Sequence, residues 1–144
     1  MQIGVETTRS VENKRIFVVD DDEIIRAALQ FMLHDENETH EIAGLPLAFA
    51  KAAEWKPDLI LLAASIVRGE GVGVLSEIRE RIPGVKILVV ADGPKDEIAR
   101  QCLVAGAHGV LAKPLTIESV REKVDVVLGR RVGFAIPLII LRTP

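Results

Sequence analysis

Three consecutive aspartates, Asp20, Asp21 and Asp22, follow the apolar run IFVV. Much later a lone lysine, Lys113, follows the run HGVLA and precedes Pro114. Carboxylates accept, so they can hold a cation or a proton; an ammonium only donates, so it can hold an anion. Acid just after a strand also suits a helix N-terminus, where the macrodipole favours negative charge. Two other apolar runs, LILLA and ILVVA, end in small residues: Ala63, Ala64 and Ser65, then Ala91 and Asp92. Ser65 carries a hydroxyl, but the sequence sets no general base beside it, and a serine nucleophile needs one. Asp92 stands before Gly93 and Pro94 and reads as a turn or cap residue. His34, His40 and His108 are too scattered for a metal-ligand set. Cys102, the only cysteine, reads as a small buried hydrophobe in a helix.

These groups meet only if the runs that carry them are parallel strands. RIFVVD, THEIAGL, DLILLA, VKILVVA and HGVLA read as short strands, the third apolar on both faces. Between and after them, DDEIIRAALQFMLHD, PLAFAKAAEW, VGVLSEIRERI, KDEIARQCLVAG and TIESVREKVDVVLG have helical spacing. Asp21 or Asp22 is a candidate cap for the first helix, and Thr116 with Ser119 for the last. Pro46 suits a first turn, Gly106 a left-handed close. His40 and His108 are placed at strand starts, and VRGEG, residues 67–71, reads as a loop. Five strand–helix alternations require a parallel sheet covered on both faces, and right-handed crossovers leave few topologies. The expected fold is α/β, flavodoxin-like, with order 2-1-3-4-5 and function beyond the carboxyl ends of the strands.

The chain has 144 residues, enough for one domain with its own core. A formal net charge of −3 argues against broad nucleic-acid binding, and 3% aromatics against base stacking. A single cysteine fits a reducing cytosol. Residues 1–14 read as a polar, flexible leader rather than a signal peptide. The late run VGFAIPLIIL is too short for a membrane helix and contains Pro137. The expected organisation is a leader over 1–14, one domain over 15–129, and an apolar tail over 130–144. Such a tail is read as packing on the domain, as a dimer contact, or as a remnant.

IFVVDDDEIIRAAL, KPDLILLAASIVRGEG and GAHGVLAKPL, in that order and spacing, resemble the three signature regions of the CheY-like response-regulator receiver family. The resemblance covers roughly residues 14–129. It implies that Asp20 and Asp21 stand where the family's acidic pair helps to hold Mg²⁺, a cation suited to oxygen ligands. It implies that Lys113 stands where a lysine pairs with phosphoryl oxygens, and that Pro114 is a candidate for a cis bond.

Other positions depart from that pattern. Ala63, six residues after Pro57, stands where the family's phosphoacceptor aspartate is expected. Ala91 replaces the expected hydroxyl residue and Val110 the aromatic switch residue. An alanine methyl cannot attack a phosphoryl donor, and it removes a carboxylate from the metal site, so Mg²⁺ binding is expected to be weak. Without metal, Lys113 is expected to swing toward Asp20 or Asp21. The resulting expectation is a cytoplasmic pseudo-receiver, not an enzyme, in two-component phosphorelay signalling. It would bind a histidine kinase or another signalling protein, with homodimerisation possible, without accepting phosphate. Lys95, Glu97, Arg100 and Glu118 are candidate contact residues. The alternative is a phosphoryl-accepting regulator whose acceptor was mutated to Ala63. An unrelated anion-binding protein ranks last, because no glycine-rich loop follows the first strand. No helix-turn-helix is read after the domain, so direct transcriptional output is not expected, and the short proline-containing apolar run gives no expectation of a membrane partner.

Overall fold

The computed structural model describes residues 13–130. Five strands run through them: β1 (Arg15–Val19), β2 (Glu38–Ile42), β3 (Leu59–Ala63), β4 (Lys86–Val90) and β5 (Gly109–Leu111). Six helices complete the described fold: α1 (Glu23–Leu33), α2 (Leu45–Glu54), α3 (Ala64–Glu70), α4 (Val74–Arg81), α5 (Glu97–Val104) and α6 (Ile117–Val127). The sheet has the expected order β2-β1-β3-β4-β5, and every neighbouring pair is parallel. The apolar tail read from the sequence begins at Arg130 and otherwise lies outside the described residues.

Successive strand residues point to opposite faces, and the two cores follow that alternation. Phe17, Val19, Ile60, Leu62, Ile87 and Val89 pack with α2, α4 and α5. Ile16, Val18, Leu59, Leu61 and Leu88 pack with α1 and α6. All these strand side chains are buried, and each contributes about 1.5–3 kcal/mol relative to exposure. Leu29 and Leu33 turn α1 onto the second core, whereas Ile24 is 78% exposed.

The caps are built as their residue types require. The Asp22 carboxylate accepts the N–H groups of Ile24 and Ile25, and the Asp96 carboxylate those of Ile98 and Ala99. Thr116 and Ser119 form a reciprocal capping box on α6. Gly106 closes the α5 connection at φ 113°, open to glycine and strained for other residues. One segment differs from the sequence reading. VRGEG is not a loop: its first four residues belong to α3, which starts directly after β3. Ala64 is a strong helix former, Ala64 and Val67 bury against the first core, and Gly71 at φ 96° ends the helix.

Two polar arrangements mark the amino ends of the strands. Arg15 donates to Glu38 at 2.7 Å, His40 lies 2.8 Å from the same carboxylate, and Asp58 accepts the Arg15 N–H at 2.9 Å. His40 lies in the middle of β2 rather than at its start. Its ring sits between Phe17 and Trp55, at centroid distances of 5.5 and 5.6 Å. At the other side of the sheet, the Ile87 N–H donates to His108 Nδ1 at 3.0 Å, while the His108 N–H donates to the Ile87 carbonyl at 2.8 Å.

Candidate functional site at the carboxyl edge of the sheet

The strand register decides which residues share this edge. Val19 pairs with Leu62 and Ala63 with Val90, so Asp20 stands level with Ala63 and Ala91 follows on β4. Asp20 is buried, at 4% exposure. Its N–H donates to the Ile42 carbonyl at 3.1 Å, and its Oδ1 accepts the Asp22 N–H at 2.8 Å. Arg26 donates to the Asp20 carbonyl at 2.8 Å and lies 3.4 Å from Glu41. Burial pushes the Asp20 pKa up, and the Asp21 and Asp22 charges add to this. The Asp22 N–H and the Lys113 charge oppose the rise without cancelling it.

Asp21 has a partner the sequence did not reveal. The Ser65 hydroxyl donates to its Oδ1 at 2.9 Å. A carboxylate therefore does stand beside Ser65, contrary to the sequence reading. The two residues are far apart in the chain, and the early start of α3 brings them together.

Lys113 is also placed differently from expectation. It does not swing onto Asp20 or Asp21; its ion pair goes to Asp92 Oδ1 at 3.5 Å. Asp92 Oδ2 accepts from Arg68 at 2.7 and 3.2 Å. Arg68 lies on α3, in the segment whose glycines and charges read as a loop in the sequence, so no local signal marks it. The Asp92 N–H donates to Asp96 Oδ2 at 2.9 Å, and Arg68 lies 3.5 Å from the same carboxylate. Burial pushes the Asp96 pKa up, but the N–H groups of Asp92, Ala99 and Ile98 and the Arg68 charge outweigh it, leaving the pKa lowered. Asp92 is thus neither a plain turn residue nor the cap of α5; it is the hub of an ion cluster.

Ala63 and Ala91 are buried, at 4% and 1% exposure, and offer no side-chain polar atom. The Ala91 N–H donates to the Leu111 carbonyl at 2.7 Å. Val110 pairs with Val89 and packs partly against the first core. The Lys113–Pro114 bond is cis. Among the described residues, no group of three or more His, Cys, Asp or Glu is arranged to hold a metal ion. Asp20 and Asp21, the pair expected to hold Mg²⁺, each have one oxygen already accepting a hydrogen bond, and Ala63 beside them adds no third carboxylate. This donor set does not fit a tight Mg²⁺ site.

Residues 16–125 match the response regulator receiver domain. The chain belongs to that family. Receiver domains are signalling modules that work with histidine kinases and other signalling proteins, and they commonly bind Mg²⁺ at the acceptor site. This receiver is 29% identical over 116 residues to the chemotaxis protein CheY of Halobacterium salinarum, a match covering 80% of this chain and 97% of CheY. It is 28% identical over 120 residues to the DNA-binding transcriptional activator DevR/DosR of Mycobacterium tuberculosis, but spans only 55% of that protein. Among solved structures, the receiver domain of NtrX from Brucella abortus matches with a TM-score of 0.71 at 25% identity, over 79% of this chain and 98% of that one. A response regulator from Thermotoga maritima matches with a TM-score of 0.74 over 81% of this chain and 98% of that one; at 22% identity it supports the fold alone. No helix of the described residues is long and apolar enough to cross a membrane.

Proposed function

We propose that this receiver is a phosphorylation-independent interaction module of a two-component system. The observation that carries the reading is the side chain at the end of β3. Ala63 stands level with Asp20, in the position that the resemblance gives to the phosphoacceptor, and it has only a methyl group. Phosphoryl transfer needs an attacking oxygen, and none is supplied there. Ala91 and Val110 weaken the same chemistry independently. Asp20 and Asp21 remain as a vestigial acidic pair with weak Mg²⁺ affinity, and Lys113 as a cation without a phosphoryl partner.

In this reading the module binds a histidine kinase, another two-component protein or a second copy of itself, in the cytoplasm, and has no nucleic-acid or membrane partner. Lys95, Glu97, Arg100 and Glu118 are the proposed contacts; Glu97 and Arg100 pair with each other on α5. A second reading, a phosphoryl-accepting regulator whose aspartate was changed to Ala63, draws support from the acidic pair and the lysine that remain. Intact mass after incubation with acetyl phosphate and Mg²⁺ separates the two. The parent should gain no phosphoryl group. Acceptance by Ala63→Asp would leave a pocket lacking only its acceptor. Phosphate on the parent would sink the proposal, and peptide mapping would then examine Ser65, beside Asp21, first.

A further inference from the structure

The Asp92 cluster joins three segments that the sheet only brings near each other. Arg68 comes from α3, after β3. Asp92 follows β4, and Lys113 follows β5. One carboxylate meets both cations, with Oδ2 on Arg68 and Oδ1 on Lys113. The Asp92 N–H, held by Asp96, fixes where that carboxylate stands.

We infer that the Asp92 carboxylate is a built-in counter-anion. It engages Lys113 and Arg68 and so closes the carboxyl edge of the sheet to an external phosphoryl group. The inference rests on the reading of Ala63 and Lys113 given above and adds a regulatory element to it. An incoming phosphate must compete with Asp92 for the Lys113 charge. Restoring the acceptor therefore restores transfer only in part. The cluster also ties α3 to the turn between β5 and α6 without any modification.

The first test uses the parent chain and amide hydrogen exchange. Asp92→Asn should speed exchange both in residues 64–70 and in residues 112–116, by about three- to fivefold, as expected for exposed ion pairs. Asp22→Asn removes the same charge from the same edge, keeps a competent helix cap, and should leave both segments unchanged. Unchanged exchange in Asp92→Asn, or equal effects of the two substitutions, would overturn the inference.

The second test measures phosphoryl acceptance from acetyl phosphate in the Ala63→Asp background, where the new carboxylate attacks phosphorus and acetate leaves. Adding Asp92→Asn should raise the rate about fivefold, whereas adding Asp22→Asn should not. Equal rates with and without Asp92→Asn, or no acceptance in any variant, would overturn the inference. Either result leaves the reading of the parent standing, because that reading fails only if the Ala63 chain itself takes phosphate.

Discussion

At the amino end of β1, Glu38 is a half-exposed carboxylate with two donors; at its carboxyl end, Asp20 is buried. Hydrogen bonds from Arg15 and then His40 hold the Glu38 pKa below its ordinary value. Burial holds that of Asp20 above its own. The first group joins β1 to β2 and gains from being ionised. The second loses by being ionised, so stability alone does not explain its presence. A costly charge at the edge where strand ends converge is a mark of function rather than of folding. In the function proposed above, the neighbouring acceptor position is the one filled by the Ala63 methyl group.

Both ends hang on β1, so the change with the largest effect should damage both. Phe17→Ala removes a fully buried ring that also contacts His40 and should cost about 3–5 kcal/mol in urea unfolding. A loss under 1 kcal/mol would mean that β1 is not the common support. Ala63→Asp adds a carboxylate to a buried position beside Asp20 and should cost about 1–3 kcal/mol at neutral pH without metal. Mg²⁺ should raise the Tm of that variant and leave the parent unmoved; an equal rise in both would refute the weak-metal reading.

Asp20→Asn should stabilise by roughly 1 kcal/mol at neutral pH, since it removes a buried charge while Asn can still accept the Asp22 N–H. A raised carboxyl pKa contributes stability below the unfolded value of 3.8 that is lost as pH rises through the folded pKa. The advantage of Asn should therefore shrink on acidification; an advantage that grows instead would reverse the assignment. Glu38→Gln is the smallest effect, a loss under about 1 kcal/mol for so exposed a group. Its sign is opposite. The contribution of Glu38 is present above its unfolded value of 4.5 and disappears as pH falls through its lowered folded pKa. Thermal melts of the parent and both variants should show differences of opposite sign at neutral pH that converge toward zero as pH falls through the two folded pKa values; differences of the same sign would erase the contrast.

Strand order was legible because five apolar runs alternated with helical spacing, and crossover handedness left little choice. Residues 67–71 read as a loop because two glycines alternate with two charges, whereas Ala64 and Val67 have core to bury against. That misreading hid Arg68. It also hid the Ser65–Asp21 bond, since nothing local in the chain announces a contact between residues so distant. The strand-end residues Asp20, Ala63, Ala91 and Lys113 could be placed by counting along runs. The partner of Lys113 could not, because it depends on which carboxylate the turn after β4 presents.

His108 makes one further thing possible. With Nδ1 accepting from Ile87, the imidazole proton resides on Nε2, and burial, then Lys86 and Arg79, hold its pKa down. A proton added to Nδ1 would face the Ile87 N–H donor. The ring is therefore a native spectroscopic probe: with uniform 15N enrichment, its nitrogen resonances register the seam between β4 and β5 without any residue being substituted. Acid titration followed at this one side chain would show whether that seam parts before the rest of the domain does.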